Sequence, residues 1–382
     1  MKDNPISVLI VDDSALIRKL VSRMFDDIPD IQVIGKAMNG RFALQKLETM
    51  NPDIIILDLE MPEMNGIEFL KERTKRGIKI PIVILSSIAR KGAKITMEAL
   101  SLGASDFILK PSGSASRDIY KTKDQLVDLI KIYGRQLKKE RASKAGGADG
   151  APSSRVLPSP QPVAAKQPAT QQVKARLATG AGTPVKRSSL PIEIIAIGIS
   201  TGGPNALRGI FSRIRSDLSV PILVVQHMPA GFTEEFARSL DKVSPLEIKE
   251  AEDGDIIKAG RVLIAPGDKH LEILDKPLAK IVKLTEKPAV NGHRPSADVL
   301  FASIFQVYGG RSLAIIMTGM GRDGVKEIGS IYRAGGLTIA QDEASCVVFG
   351  MPRVAIEQGY IHKVVPLEMM TEIINQTDRK ES

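Results

Sequence analysis

Ile54-Ile55-Ile56-Leu57-Asp58-Leu59-Glu60-Met61-Pro62 is an apolar run that ends on a carboxylate and is stopped by a proline. Its first four residues show no polar alternation, the pattern of a strand buried on both faces of a parallel sheet. Similar short runs occur at Ile6 to Val11, Ile31 to Ala37, Ile82 to Leu85 and Phe107 to Leu109, with amphipathic helical stretches between them. Strands alternating with helices in this way predict a parallel α/β sheet with right-handed crossovers. The polar residues of the region then fall where strands stop: Asp12 and Asp13, Asp58, Ser86 and Lys110. In an open parallel sheet the carboxyl ends of the strands define the ligand crevice, so these residues converge although they are spread widely along the chain.

Carboxylates crowded into one crevice repel one another unless a cation joins them. A hard divalent ion such as Mg²⁺, bound through oxygen, meets that need. The same ion would neutralise an incoming phosphoryl group while Asp58 attacks in line, with Lys110 and the Ser86 hydroxyl holding the phosphoryl oxygens. The alternative is that each acid serves a helix cap or turn, Asp13 before Ser14 and Asp58 before the proline loop. Five such residues at successive strand ends favour the shared task.

Further along, the stretch from Ala142 to Leu190 is rich in Pro, Ala, Ser, Gln and Gly and holds no Ile, Phe or Tyr. Such a segment buries too little apolar surface to offset the entropy of ordering itself. It divides the 382 residues into a unit at 1–140, a flexible Pro/Ala/basic linker at 141–190 and a second unit at 191–375. The formal charge of +9 raises the question of nucleic acid, but Arg141 to Pro191 holds eight basic residues against one acid, Asp149, leaving only +2 elsewhere. With 4% aromatic residues, no Trp and no helix-turn-helix pattern, nucleic-acid binding is not expected. The run Ile6 to Val11 is too short for a secretion signal or a membrane span, and the lone Cys346 offers neither a disulfide nor a cysteine metal site. A cytoplasmic protein without membrane insertion is the expectation.

The second unit repeats the style, with strands predicted at Ile192 to Ile197, Ile222 to Val225, Leu313 to Met317 and Leu337 to Ala340. Its middle differs, and Val262 to Ala265, Leu271 to Leu274 and Lys280 to Leu284 read as antiparallel elements. The first strand runs into Gly198-Ile199-Ser200-Thr201-Gly202-Gly203-Pro204. A serine on a tight strand-to-helix turn can be a nucleophile facing an oxyanion-stabilising helix N-terminus. A phosphate-binding loop or a plain tight turn has the same look. A nucleophile needs a base, and of four histidines His227 follows a strand directly, in Gln226-His227-Met228-Pro229. His270, His293 and His362 read as surface or structural residues. Asp323, beyond the strand ending at Met317, could orient His227, or else cap the helix from Val325 to Arg333.

Val11-Asp12-Asp13-Ser14, Leu57 to Pro62 and Lys110-Pro111 resemble the response-regulator receiver domain. The resemblance implies a flavodoxin-like fold with strand order 2-1-3-4-5 and phosphorylation of Asp58 by a histidine kinase. It also implies Mg²⁺ held by Asp13, Asp58 and the backbone carbonyl of Glu60, with Asp12 reaching it through water, and Ser86 with Phe107 as the switch pair. In the second unit, Gly198 to Pro204, Gln226 to Pro229, Arg294-Pro295-Ser296, Thr318 to Gly324 and Phe349 to Pro352 resemble the chemotaxis receptor methylesterase family, CheB. This second resemblance implies a doubly wound, mainly parallel α/β domain with an antiparallel hairpin, acting without a cofactor on methylated chemoreceptors. Its chemistry would be hydrolysis of glutamate methyl esters with release of methanol, and deamidation of receptor glutamines. Ser200 matches the family's nucleophile, His227 its base and Asp323 its orienting acid, with the Met320 N–H as oxyanion donor. It further implies that the unphosphorylated receiver covers the hydrolase crevice.

Overall fold

The computed structural model describes residues 4–87, 90–110, 116–145 and 185–377. The first unit runs β1 (Ile6–Val11), α1 (Ala15–Arg23), β2 (Ile31–Ala37), α2 (Gly40–Leu47), β3 (Ile54–Asp58), α3 (Gly66–Lys75), β4 (Ile82–Ser86), α4 (Arg90–Ser101), β5 (Asp106–Leu109) and α5 (Ser116–Ala145). Its strands form a parallel sheet in the order β2-β1-β3-β4-β5, as expected. Every residue of β3 and β4 is buried, which is why their sequences lack alternation. Local capping is written into the helices: Ser14 caps α1, and Asn65 with Glu68 makes a reciprocal capping box at α3. Ser14 takes the capping role that Asp13 could have had.

The second unit runs β6 (Ile194–Ile199), α6 (Gly203–Phe211), β7 (Ile222–Gln226), α7 (Phe232–Asp241), β8 (Glu247–Glu250), β9 (Arg261–Ile264), β10 (His270–Asp275) and β11 (Lys280–Thr285). It continues with α8 (Ala297–Tyr308), β12 (Ser312–Ile316), α9 (Val325–Arg333), β13 (Leu337–Gln341), α10 (Met351–Glu357), β14 (Lys363–Val365) and α11 (Leu367–Gln376). A parallel sheet in the order β14-β13-β12-β6-β7-β9-β8 carries the domain, and β10-β11 stand apart as an antiparallel hairpin. The chain leaves β6 toward β7 and returns later on its other side through β12, so the switch in winding lies at β6.

Three expectations change. The strand at Val262 to Ala265 is not antiparallel: β9 pairs in parallel with β7 and β8, and Val262, Leu263 and Ile264 are buried from both faces. Edge strand β8, Glu-Ile-Lys-Glu, escaped notice because its one buried residue, Ile248, makes no apolar pattern. Helix α5 continues past residue 140 to Ala145, aided by Arg141, which donates to Asp53, Asn51 and the Pro52 carbonyl. At the other end, the Ser188 N–H donates to the Gly335 carbonyl, so the chain is already laid against the second unit before β6. The linker residues 146–184 and Pro111 lie outside the described residues.

The two units meet along α4 and β5 of the first. Helix α4 packs on α6 and α7, and one buried apolar cluster runs from the first unit into the second. Phe107 of β5 stacks on Phe232 at the start of α7, with ring centroids 4.9 Å apart and planes within 8°. Polar contacts accompany the apolar ones: the Gly202 N–H donates to Asp106 Oδ2 at 3.2 Å, and Asn205 Nδ2 donates to the Ala104 carbonyl at 3.0 Å.

Candidate active site

Adjacent strands β12, β6 and β7 each end in one residue of the expected hydrolase set. Ser200 follows β6, His227 follows β7, and Asp323 lies in the loop after β12. Ser200 is fixed through its backbone: its N–H donates to the Thr318 carbonyl at 2.9 Å, and its carbonyl accepts from Gln226 Nε2 at 3.0 Å. Gln226 also donates to the His227 carbonyl at 3.1 Å, so one buried amide ties the ends of β6 and β7 together. Gly319 has to be glycine, because a Cβ there would lie 2.8 Å from Ser200 Cβ and 2.5 Å from Met351 Sδ. Gly202 adopts φ 76°, where a side chain is strained, and turns the chain into α6.

His227 Nε2 lies 2.8 Å from Asp323 Oδ2, and both side chains are buried. A carboxylate can only accept, so Nε2 carries the proton and Nδ1 is the bare nitrogen of the neutral ring. Nδ1 is buried and has no hydrogen-bond partner among the described residues. It is therefore the nitrogen left to take a proton, the reverse of the arrangement in chymotrypsin-like proteases, where Nδ1 faces the acid.

Asp323 does not cap α9, whose N-cap is Gly324. It sits instead at the N-terminus of α8, accepting from the Ala297 N–H at 2.6 Å, the Ser296 hydroxyl at 2.7 Å and Asn291 Nδ2 at 2.9 Å. Burial works to raise its pKa, but the bonds from His227, Ser296 and Asn291 and the electrostatic pull of the His227 ring outweigh it, and the carboxyl is held well below the usual range. An acid so held stays ionised and can support an imidazolium beside it. Sequence reasoning missed Gln226, Asn291 and Ser296, whose roles depend on how α8 packs against the sheet.

Ser200, His227 and Met320 line one cleft of about 840 Å³ whose opposite wall is the receiver's Phe107 and Lys110. The Met320 N–H donates to no acceptor among the described residues, and the loop carrying it is backed by Gly350, where a Cβ would come within 2.6 Å of the Gly319 carbonyl oxygen. Of the remaining histidines, His270 is buried with Nε2 near the Pro288 carbonyl, and His362 bonds to Thr338. His293 is neither a surface residue nor remote: its ring lies against His227 and lines the same cleft.

The receiver crevice is assembled as expected in most respects. Carboxylate oxygens of Asp12, Asp13 and Asp58 lie within 4.8 Å of one another. Lys110 Nζ lies 2.7 Å from Asp58 Oδ2 and 3.1 Å from Asp12 Oδ2. Burial raises the Asp58 pKa, Asp12 adds to the rise, and Lys110 opposes it. On Lys110, burial works against the charge, but Asp58 and Asp12 prevail and its pKa is raised. Three clustered carboxylates with a raised Asp58 suit a hard divalent cation, whose charge would hold them together. The Glu60 N–H donates to Asp58 Oδ1 at 3.3 Å, a turn interaction that holds the Asp58 side chain in place. Ser86 closes β4 and is buried. Its hydroxyl pairs with Thr96 Oγ1 at 2.6 Å, drawn to a buried partner inside α4.

Comparison with known proteins covers both units. The family model of the CheB methylesterase matches residues 195–374, and that of the response regulator receiver domain matches residues 8–119. A protein-glutamate methylesterase/protein-glutamine glutaminase of Treponema denticola is 52% identical over 372 residues, 97% of this chain and 98% of that protein. Its counterpart in Treponema pallidum is 47% identical over 395 residues, 98% of this chain and 97% of that protein. The crystal structure of the Thermotoga maritima CheB methylesterase catalytic domain is 41% identical, covering 49% of this chain and 99% of that one, with a TM-score of 0.48.

Proposed function

Because the chain belongs to the CheB methylesterase family and carries a response-regulator receiver domain, we propose that it hydrolyses glutamate methyl esters on chemoreceptors under phosphoryl control, and deamidates receptor glutamines. The observation that carries this reading is the buried His227–Asp323 pair at 2.8 Å, opening on the same cleft as Ser200. Ser200 Oγ attacks the ester carbonyl while His227 Nδ1 takes its proton. The tetrahedral oxyanion is held by the Met320 N–H, collapse expels methanol with the proton returned by His227, and water then releases the acyl-enzyme by the same route. Asp323 remains ionised throughout and supports the imidazolium. A glutamine side chain enters the same sequence with ammonia as leaving group.

On the receiver side, Asp58 is the phosphoryl acceptor, a histidine kinase the donor, and Lys110 and Ser86 hold the phosphoryl oxygens. Asp12, Asp13, Asp58 and the Glu60 carbonyl would hold Mg²⁺, which supplies charge neutralisation for the incoming group. Ser86 has to leave Thr96 to take part, and that exchange gives α4 a reason to move. Strand β5 links the two sites physically: Lys110 follows its end, while Asp106 and Phe107 at its start touch Gly202 and Phe232. In this reading the contact between receiver and hydrolase is the covered state, and phosphorylation favours a looser one. Among the described residues no helix is long and apolar enough to cross a membrane, and a cytoplasmic enzyme meeting the cytoplasmic helices of receptors fits the substrate.

Ser200→Ala tests the reading. Methanol release from methylated receptor should fall by about 10⁴-fold or more, while phosphoryl uptake at Asp58 is retained; turnover near the wild-type rate removes Ser200 from the nucleophile's role.

A further inference from the structure

We propose that His293 is a positioning residue for the hydrolase, its imidazole acting as a flat backstop that holds the His227 ring in the plane joining Asp323 to Ser200. This inference rests on the assignment of His227 as base. The two rings are stacked with centroids 3.7 Å apart and planes within 7°. Among the described residues, the His227 ring is otherwise held by a single side-chain bond, from Nε2 to Asp323. One bond leaves a ring free to tilt about it, and a face-to-face neighbour removes that freedom.

His293 is itself held firmly. Val290 and His293 exchange both of their backbone hydrogen bonds, at 3.0 and 2.9 Å. Between them Asn291 sits at φ 52° and sends its Nδ2 to Asp323 Oδ1 at 2.9 Å and to Asp298 Oδ2 at 2.7 Å. Just beyond, Arg294 pairs with Asp268 at 2.6 Å and donates to the Glu286 carbonyl at 3.0 Å. A single tight turn thus grips the acid through Asn291 and braces the base through His293.

The chemistry of the pair sets His293's part. Two imidazolium rings in contact would repel, so only one can carry charge. Burial, with His227 beside it, pushes the His293 pKa down to about 4 against the opposing pull of Asp323. His293 is therefore uncharged near neutrality, where a base of that strength has little use, and what it offers His227 is a flat surface. Misplacing a reacting group by about 1 Å can cost on the order of 10²-fold in rate, which sets the scale of the effect.

The test is steady-state methanol release from methylated chemoreceptor fragment by the full chain, comparing His293→Ala, His293→Leu, His293→Phe and His227→Ala with wild type. Removing the flat face in the Ala variant should lower kcat about 30- to 100-fold with KM within about twofold. The Leu variant restores volume without a flat face and should fall as far, which keeps the comparison open should the Ala variant not fold. The Phe variant restores the face and should recover kcat to within about fivefold of wild type. The proposal is overturned if Ala and Leu stay within twofold of wild type, if Phe falls as far as they do, or if the loss appears in KM. His227→Ala separates the two levels: if it turns over normally, the base assignment itself fails, whereas an inactive His227→Ala beside unaffected His293 variants sinks the backstop alone.

Discussion

Asp58, the last residue of β3, and Asp323, in the loop beyond β12, are both buried aspartates at the carboxyl ends of parallel sheets, yet their surroundings drive them in opposite directions. Around Asp58 stand two further carboxylates and Lys110, and burial leaves its pKa raised. Around Asp323 stand the Ala297 N–H, the Ser296 hydroxyl, the Asn291 amide and the His227 ring, and its pKa is held low. The difference is one of donors. A carboxylate met by fixed donors at a helix N-terminus is a permanent anion suited to supporting an imidazolium. A carboxylate crowded by its own kind is short of positive charge, and so is prepared for a cation and for a group that arrives with one. One residue type is thus held ionised by fixed donors in the second unit and crowded by like charge in the first.

Substitutions that exchange these properties test the contrast. Asp323→Asn keeps the shape but cannot hold the proton on Nε2 in the same way, so kcat for ester hydrolysis should fall about 10³- to 10⁴-fold with the fold intact. A near-normal rate would show that Asp323 does not select the tautomer of His227. Asp58→Asn should abolish phosphoryl incorporation and, with it, all stimulation of hydrolysis by a phosphoryl donor, leaving the basal rate within about twofold. Radiolabelled phosphoryl transfer and methanol release on the same samples check both halves.

The smallest effect concerns Asp106, on the seam between the units. Burial pushes its carboxyl up to about 6, against the opposing bonds from the Phe107 and Gly202 N–H groups and from Tyr133. A carboxyl raised above its ordinary 3.8 contributes stability that is complete below that value and is lost as the pH climbs through about 6. Melting temperature should accordingly carry a downward component between about pH 4 and pH 6 that Asp106→Asn removes. Identical pH profiles for the variant and wild type would show that Asp106 does not titrate within the folded chain.

The parallel architecture of both units was legible because buried strands leave unmistakable apolar runs, and the strand-end rule then brought Asp12, Asp13, Asp58 and Lys110 into one crevice and Ser200, His227 and Asp323 into another. Strand direction was less legible. The apolar run at Val262 to Ile264 looks the same in either orientation, since its parallel pairing with β7 and β8 leaves no mark on its own composition. Donors to Asp323 were hidden for a related reason: Asn291, Ser296 and Ala297 precede it by some thirty residues and meet it only when α8 docks on the sheet. His293 was read as a surface or structural residue, and its place against His227 went unseen because stacking on another ring has no signature in spacing. Ser86 sits at the right strand end, but its hydroxyl answers to Thr96, a partner the strand-end rule does not consider.

Control of the serine hydrolase by the receiver resting against it is the proposal that joins the two sites. The most direct measurement is the rate of methanol release from methylated chemoreceptor by the full chain, with and without a small-molecule phosphoryl donor and Mg²⁺. Low basal release, several-fold stimulation by the donor, and no release in either condition from Ser200→Ala are expected. Equal rates with and without the donor, with Asp58 phosphorylated in one and not the other, would contradict it.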